Sequence, residues 1–145
     1  MPTMLDQILS VHRGEAPPPP IAELIGFTLT SIEPGRAVID FTAEPRHANP
    51  MGTLHGGVLG DIADAAMGMA WASTLGEGET FTTLELKINF LRPVWTGRLT
   101  ATGRVVSGGR TVGLLECDVT DDKQRLVARA SSTVMTLRGS QAAGR

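Results

Sequence analysis

Asn49, His55, Gly56, Gly57 and Asp64 stand close together in the chain, and they are the residue types of an acyl-transfer site. The stretch Asn49-Pro50-Met51-Gly52-Thr53-Leu54-His55-Gly56-Gly57 feeds directly into Val58 to Leu75, a helix-like run without Lys, Arg, Glu or Gln. Two glycines at a helix start leave backbone N–H groups pointing outward, which suits an anion or a polarised carbonyl. Asp61 and Asp64 are the only charged residues of the run. A carboxylate in an apolar helix is costly unless it has a partner or a task.

Each of these residues also has a plainer role open to it. Gly56-Gly57 can be a tight entry to the helix, and His55 reads first as a residue whose imidazole ties the loop to backbone. Asp61 lies near the helix start, where an acid suits the macrodipole. Asp64 shares a helical arc with Gly60, Asp61 and Gly68, away from the Ile62 and Ala66 stripe. A solvent face usually carries long charged side chains, whereas this arc has glycines and short acids. Something is therefore expected to pack closely there, with a functional role for Asp64. Partial burial is expected to raise its pKa and favour base action. Thr83 reads as a β-former on the polar face of a strand, and Cys117 as inert packing.

The elements that must position these residues follow from periodicity. Residues 4 to 12 form a short helix with Leu5, Ile8 and Leu9 on one side, and Pro17 to Pro20 enforce an extended linker. Phe27 to Glu33 and Arg36 to Thr42 are strands around a Pro34-Gly35 turn. The long helix begins near His55 and ends at Gly76-Glu77-Gly78. Four strands follow. In the first, residues 82 to 90, Leu84, Leu86, Ile88 and Phe90 take one face and Thr83, Glu85, Lys87 and Asn89 the other. Leu99 to Ser107 and Thr111 to Thr120 flank the hairpin signal Gly108-Gly109, and Leu126 to Leu137 is the last strand. The tail from Gly139 reads as disordered. The domain is expected over residues 21–138, after an N-terminal segment of 1–20 and before a tail of 139–145.

Composition narrows the function. With 145 residues the chain is one domain with a real core. A net charge of −2 argues against a nucleic-acid partner. One cysteine excludes an internal disulfide, and His12, His47 and His55 lack metal-ligand spacing. The absence of a long apolar run or a basic leader makes a cytoplasmic protein without membrane attachment the expectation.

The pattern Asn-x-x-Gly-x-x-His-Gly-Gly, followed by an acid nine residues after the His, resembles the hotdog-fold thioesterases of the PaaI type. The likeness extends to Thr83-x-Glu85 and to Asn89-Phe90-Leu91-Arg92-Pro93, and covers roughly residues 21 to 137. The resemblance implies an α+β hotdog fold, an antiparallel sheet wrapped around one long central helix. It implies an acyl-coenzyme A substrate and no metal or other cofactor. Gly56 would polarise the thioester carbonyl through its N–H, and Asn49 would act near that carbonyl or the attacking water. Asp64 would be nucleophile or general base, and Thr83 would help place water. His55 belongs to the same motif, Gly57 to the same helix entry. Gly68 stands where some relatives carry a hydroxyl. Arg110 reads first as part of a hairpin turn and second as a cation for coenzyme A phosphates.

An acyl-CoA thioesterase is the reading. The alternatives are a non-catalytic acyl-CoA sensing domain, or a hotdog hydratase or dehydratase acting on enoyl thioesters. The pocket walls are expected from the Met67 to Trp71 end of the helix and from the loop before His55. Gly56 and Asp64 are eight residues apart, about 12 Å along a helix axis. Both must come within about 3–3.5 Å of one thioester carbon or its oxygen. One chain cannot supply both, so a homodimer with shared sites is expected, alone or as a dimer of dimers.

Overall fold

The computed structural model describes residues 1–145. Its centre is helix α3, Gly56–Ala72, which buries Leu59, Ile62, Ala63, Ala66, Met67, Ala70 and Trp71. These positions recur at helical spacing, so the apolar stripe in the sequence is the face turned to the core. Helices α1 (Met4–His12) and α2 (Pro20–Ile25) precede strands β1 (Phe27–Glu33) and β2 (Arg36–Ala43). Strands β3 (Thr80–Phe90), β4 (Gly97–Gly108), β5 (Val112–Asp121) and β6 (Leu126–Leu137) follow α3. All six strands form one antiparallel sheet in the order β1-β2-β4-β5-β6-β3. The sheet wraps α3, which is the hotdog arrangement. No helix is long and apolar enough to cross a membrane.

The sheet meets the helix through small residues. A Cβ on Gly103 would stand 2.5 Å from the backbone carbonyl of Ala66. Ala37, Ala101, Ala128 and Ala130 are buried in the same core. At the other end of α3, the Trp71 ring occupies the space a side chain on Gly113 would need, with a Cβ there 2.3 Å from the ring. The Trp71 indole N–H donates to Thr136 Oγ1 at 3.1 Å, so its one polar atom is satisfied inside the core. The outer face of the sheet carries ion pairs. Arg104 pairs with Glu116 at 2.8 Å, and Arg129 with Asp118 at 2.7 Å.

Several boundaries differ from the sequence reading. Pro20 is not linker but the first residue of α2, where its missing N–H costs nothing. Helix α3 stops at Ala72, ahead of the glycines. Ser73 Oγ donates to Ala70 O, and Thr74 Oγ1 donates to Trp71 O, so hydroxyls take up the last carbonyls. Residues Gly139–Ala142 form a single 3-10 turn. The larger difference lies in β3. Its pairing with β6 shifts between Thr83 and Glu85, where Thr83 faces Val134 but Glu85 faces Thr133. This bulge breaks the even alternation. Leu84 is 54% exposed and does not share a face with the half-buried Leu86 and Ile88. Thr83 turns inward with them, and Glu85 turns out.

The Gly103 contact yields a test. Gly103→Ala forces backbone apart at the helix–sheet contact, and is expected to destabilise the fold by about 1–3 kcal/mol. Urea unfolding of the two proteins measures it, and unchanged stability would show that the sheet can retreat freely.

Candidate active site

The loop before α3 is built by Asn49. Its Oδ1 accepts from the N–H groups of Met51 at 2.9 Å and Thr53 at 3.2 Å, and its Nδ2 donates to Thr53 Oγ1 at 2.8 Å. The side chain is thus spent within the loop. His55 is the N-cap of α3, and its Nδ1 accepts from Gly57 N–H at 3.0 Å. That bond fixes Nδ1 as the unprotonated nitrogen. A side chain on residue 57 would crowd the cap, since its Cβ would lie 3.0 Å from Nδ1.

Gly57 N–H is therefore occupied, while Gly56 N–H donates to no group in the chain. Gly56 is a free donor at the positive end of a long helix. The Phe90 ring reaches to 2.8 Å from where a Cβ on Gly56 would stand. A second cavity wall is formed here by Asn49, Thr53, Leu59, Leu91 and Arg92. The Arg92 guanidinium forms none of the ion pairs of the chain. It is a candidate site residue that the sequence reading passed over. The signal was present in the quoted Asn89–Pro93 segment, as a cation beside a proline.

Asp64 lies elsewhere. It is exposed in the single chain rather than buried in an apolar helix. Thr83 Oγ1 donates to Asp64 Oδ1 at 3.1 Å, a contact made by the bulge in β3. Asp64, Thr83 and Gly68 line a larger cavity of about 520 Å3, in which Gly56 and Asn49 take no part. Gly68 leaves room for the Phe81 ring, 3.1 Å from where its Cβ would be. Burial first, and then the neighbouring Asp64 carboxylate, push the Asp61 carboxyl above the usual aspartate range.

The loop before His55 lines the Gly56 cavity as expected, but the helix wall differs. Met67 and Trp71 are buried against the sheet, and the helix contributes Ala65, Met69 and Ala72 to the larger cavity instead. Arg110 lines neither cavity. It sits in the β4–β5 hairpin at the C-terminal end of α3, where its carbonyl accepts from the Arg138 guanidinium. Burial, and then the Asp118 charge, push the Cys117 thiol up to about 12, so it is no nucleophile at neutral pH. No three His, Cys, Asp or Glu side chains are grouped to hold a metal ion.

Residues 51–128 match the family model described as thioesterase superfamily. The acyl-coenzyme A thioesterase PaaI of Escherichia coli is 32% identical to this chain over 108 residues, 74% of this chain and 75% of that protein. The 1,4-dihydroxy-2-naphthoyl-CoA hydrolase of Listeria monocytogenes is 29% identical over 79% of this chain and 93% of its own. Among solved structures, a phenylacetic acid degradation-related protein of Ralstonia eutropha superposes with a TM-score of 0.82 at 33% identity, covering 88% of this chain and 98% of that one.

The Asn49 geometry sets an expectation for exchange. Asn49→Ala removes the acceptor of two amides, so Met51 and Thr53 N–H groups should lose protection against hydrogen exchange. Retained protection at both would assign the loop's order to other contacts.

Proposed function

Because the chain belongs to the thioesterase superfamily, we propose that it hydrolyses acyl-coenzyme A thioesters to free acid and coenzyme A, in sites that two copies of the chain complete. The observation that carries this reading is the division of one helix between two cavities. Gly56 N–H is a free donor in one, and Asp64 with its Thr83 partner stands in the other.

The exposed arc of α3, with Gly57, Asp61 and Asp64 on it, is the place for the second copy. A Cβ on Gly60 would meet nothing within 4 Å, so the arc is open. Strand β3 borders it as an edge of the sheet, with Leu84 and Phe90 exposed. An antiparallel copy of α3 lying on this arc brings its Asp64 beside the first Gly56, and two-fold symmetry makes two equal sites.

In each site the thioester oxygen accepts from Gly56 N–H, which stabilises the charge developing on it. Asp64 of the other copy attacks the carbonyl carbon, or takes a proton from water that does so. Coenzyme A leaves as the thiol once its sulfur is protonated. If Asp64 attacks, water then cleaves the mixed anhydride. Thr83 holds the carboxylate in place, Asn49 shapes the loop behind Gly56, and His55 occupies the competing N–H of Gly57. Arg92 lies where a phosphate-bearing leaving group would pass the Gly56 cavity, and Arg110 is the second candidate for that charge.

Two tests bear on this. Asp64→Asn is expected to remove nearly all thiol release while binding persists. Gly56→Pro removes the donor at a helix position whose backbone proline suits, with the exposed Phe90 ring shifting to admit its Cβ, and should cost roughly 100- to 1000-fold in kcat. A purified heterodimer of the two variants keeps one intact site and should recover up to about half the wild-type activity. No recovery in a folded heterodimer would falsify the shared site.

For the leaving group, Arg92→Ala is expected to raise KM about tenfold with kcat little changed, as loss of one charge-assisted contact would. Arg110→Ala tests the other candidate in the same assay. A thioester lacking the nucleotide should be indifferent to the substitution that matters, and indifference to both with full coenzyme A removes both from the phosphates.

A further inference from the structure

The larger cavity is roofed by helix α1, which touches the core only at its edge, through Met4. Helix α1 buries none of its residues. It is closed at its start by a capping box, with Thr3 Oγ1 accepting from Asp6 N–H at 3.1 Å. At its end the His12 ring N–H donates to Leu29 O at 3.2 Å. Between these ties Met4, Ile8 and Val11 face the cavity, opposite Ala65, Met69 and Phe81. The cavity volume of about 520 Å3 is of the size of small-ligand sites.

The chemistry of the lining is one-sided. His12 and Asp64 are the only ionisable groups in it, and no Lys or Arg takes part. An acyl group bearing a carboxylate would meet the Asp64 carboxylate in the wall and no Lys or Arg, with the His12 imidazole as the one group able to pair with it. An apolar group would gain about 25 cal/mol for each Å2 it removes from water.

Resting on the thioesterase reading above, we propose that this cavity receives the acyl group of the substrate, that the group is uncharged and larger than acetyl, and that Ile8 in the α1 roof sets how large it can be. The placement follows from Asp64 and Thr83, which stand in the wall of the same cavity. A thioester carbonyl held between Asp64 and the Gly56 N–H of the other copy leaves its sulfur outside this cavity and sends its acyl chain under α1. Helix α1 can then change its inward side chains without disturbing the sheet.

The experiment compares acetyl-, hexanoyl-, phenylacetyl- and succinyl-CoA on the wild type, Ile8→Trp and Ile8→Ala. The wild type is expected to favour hexanoyl- or phenylacetyl-CoA over acetyl- and succinyl-CoA by about tenfold or more in kcat/KM. Ile8→Trp should remove about tenfold from the larger substrates while acetyl-CoA changes less than twofold, and Ile8→Ala should spare them. Equal losses on all substrates, no loss on any, or a preference for succinyl-CoA overturns the proposal. Binding gives a reading independent of turnover. S-hexyl-coenzyme A, a thioether that cannot be hydrolysed, should shift the methyl signals of Met4 and Met69, and Ile8→Trp should suppress those shifts. Shifts without thiol release from any thioester would reject the hydrolase and keep the pocket, whereas hydrolysis without shifts would reject the pocket and keep the hydrolase.

Discussion

The backbone of Ala66 lies so close to β4 that residue 103 has no room for a side chain. Much else in the molecule depends on that approach. A helix set this near a sheet must be lined with alanine and glycine on both sides, and the core is rich in them. It leaves one arc of α3 that the chain's own sheet does not cover. Glycines and short acids fill that arc, so the same requirement for closeness appears on the outside of the helix as on the inside. Larger residues are placed at the ends, where Trp71 fills the space over Gly113 and Phe90 lies over Gly56.

Residues that do chemistry are held by residues that do none. The free N–H of Gly56 is free because His55 takes the neighbouring one, and the loop ahead of it is held by the amide of Asn49. Asp64 is oriented by Thr83, whose position depends on an irregularity in β3, the strand that directly follows the helix. The site is thus specified by a cap, a loop amide and a bulge, each a local feature of the chain.

Much of this was legible in the sequence. The apolar stripe of α3, the order of strands and the hairpin at Gly108-Gly109 follow from periodicity and turn chemistry, which are local. Less was legible where two elements compete for the same residues. Strict alternation assigned Thr83 and Leu84 to the wrong faces, because a bulge leaves no mark in the pattern of apolar residues. Ser73 and Thr74 end α3 before its glycines, since hydroxyls can satisfy carbonyls as well as a left-handed glycine can. The sequence reading grouped Leu5, Ile8 and Leu9 on one side of α1, whereas Met4, Ile8 and Val11 line the cavity, because the side that matters depends on where α3 and β1 lie. Asp64 was read as buried; one chain leaves it exposed, because a sequence does not distinguish a face covered by its own fold from a face left for another surface.

The bulge in β3 has a consequence for parity. A regular strand offers each face to every second residue, so Thr83 and Leu86 could never point the same way. One extra residue changes odd to even. Along a single strand it lets a hydroxyl reach an acid on the helix while the next inward residues remain hydrocarbon. The strand is in this sense two half-strands written in different phases and joined at Leu84. Insertions or deletions there would be read not as a change of length but as a change of phase, turning every later side chain of β3 to the opposite side of the sheet.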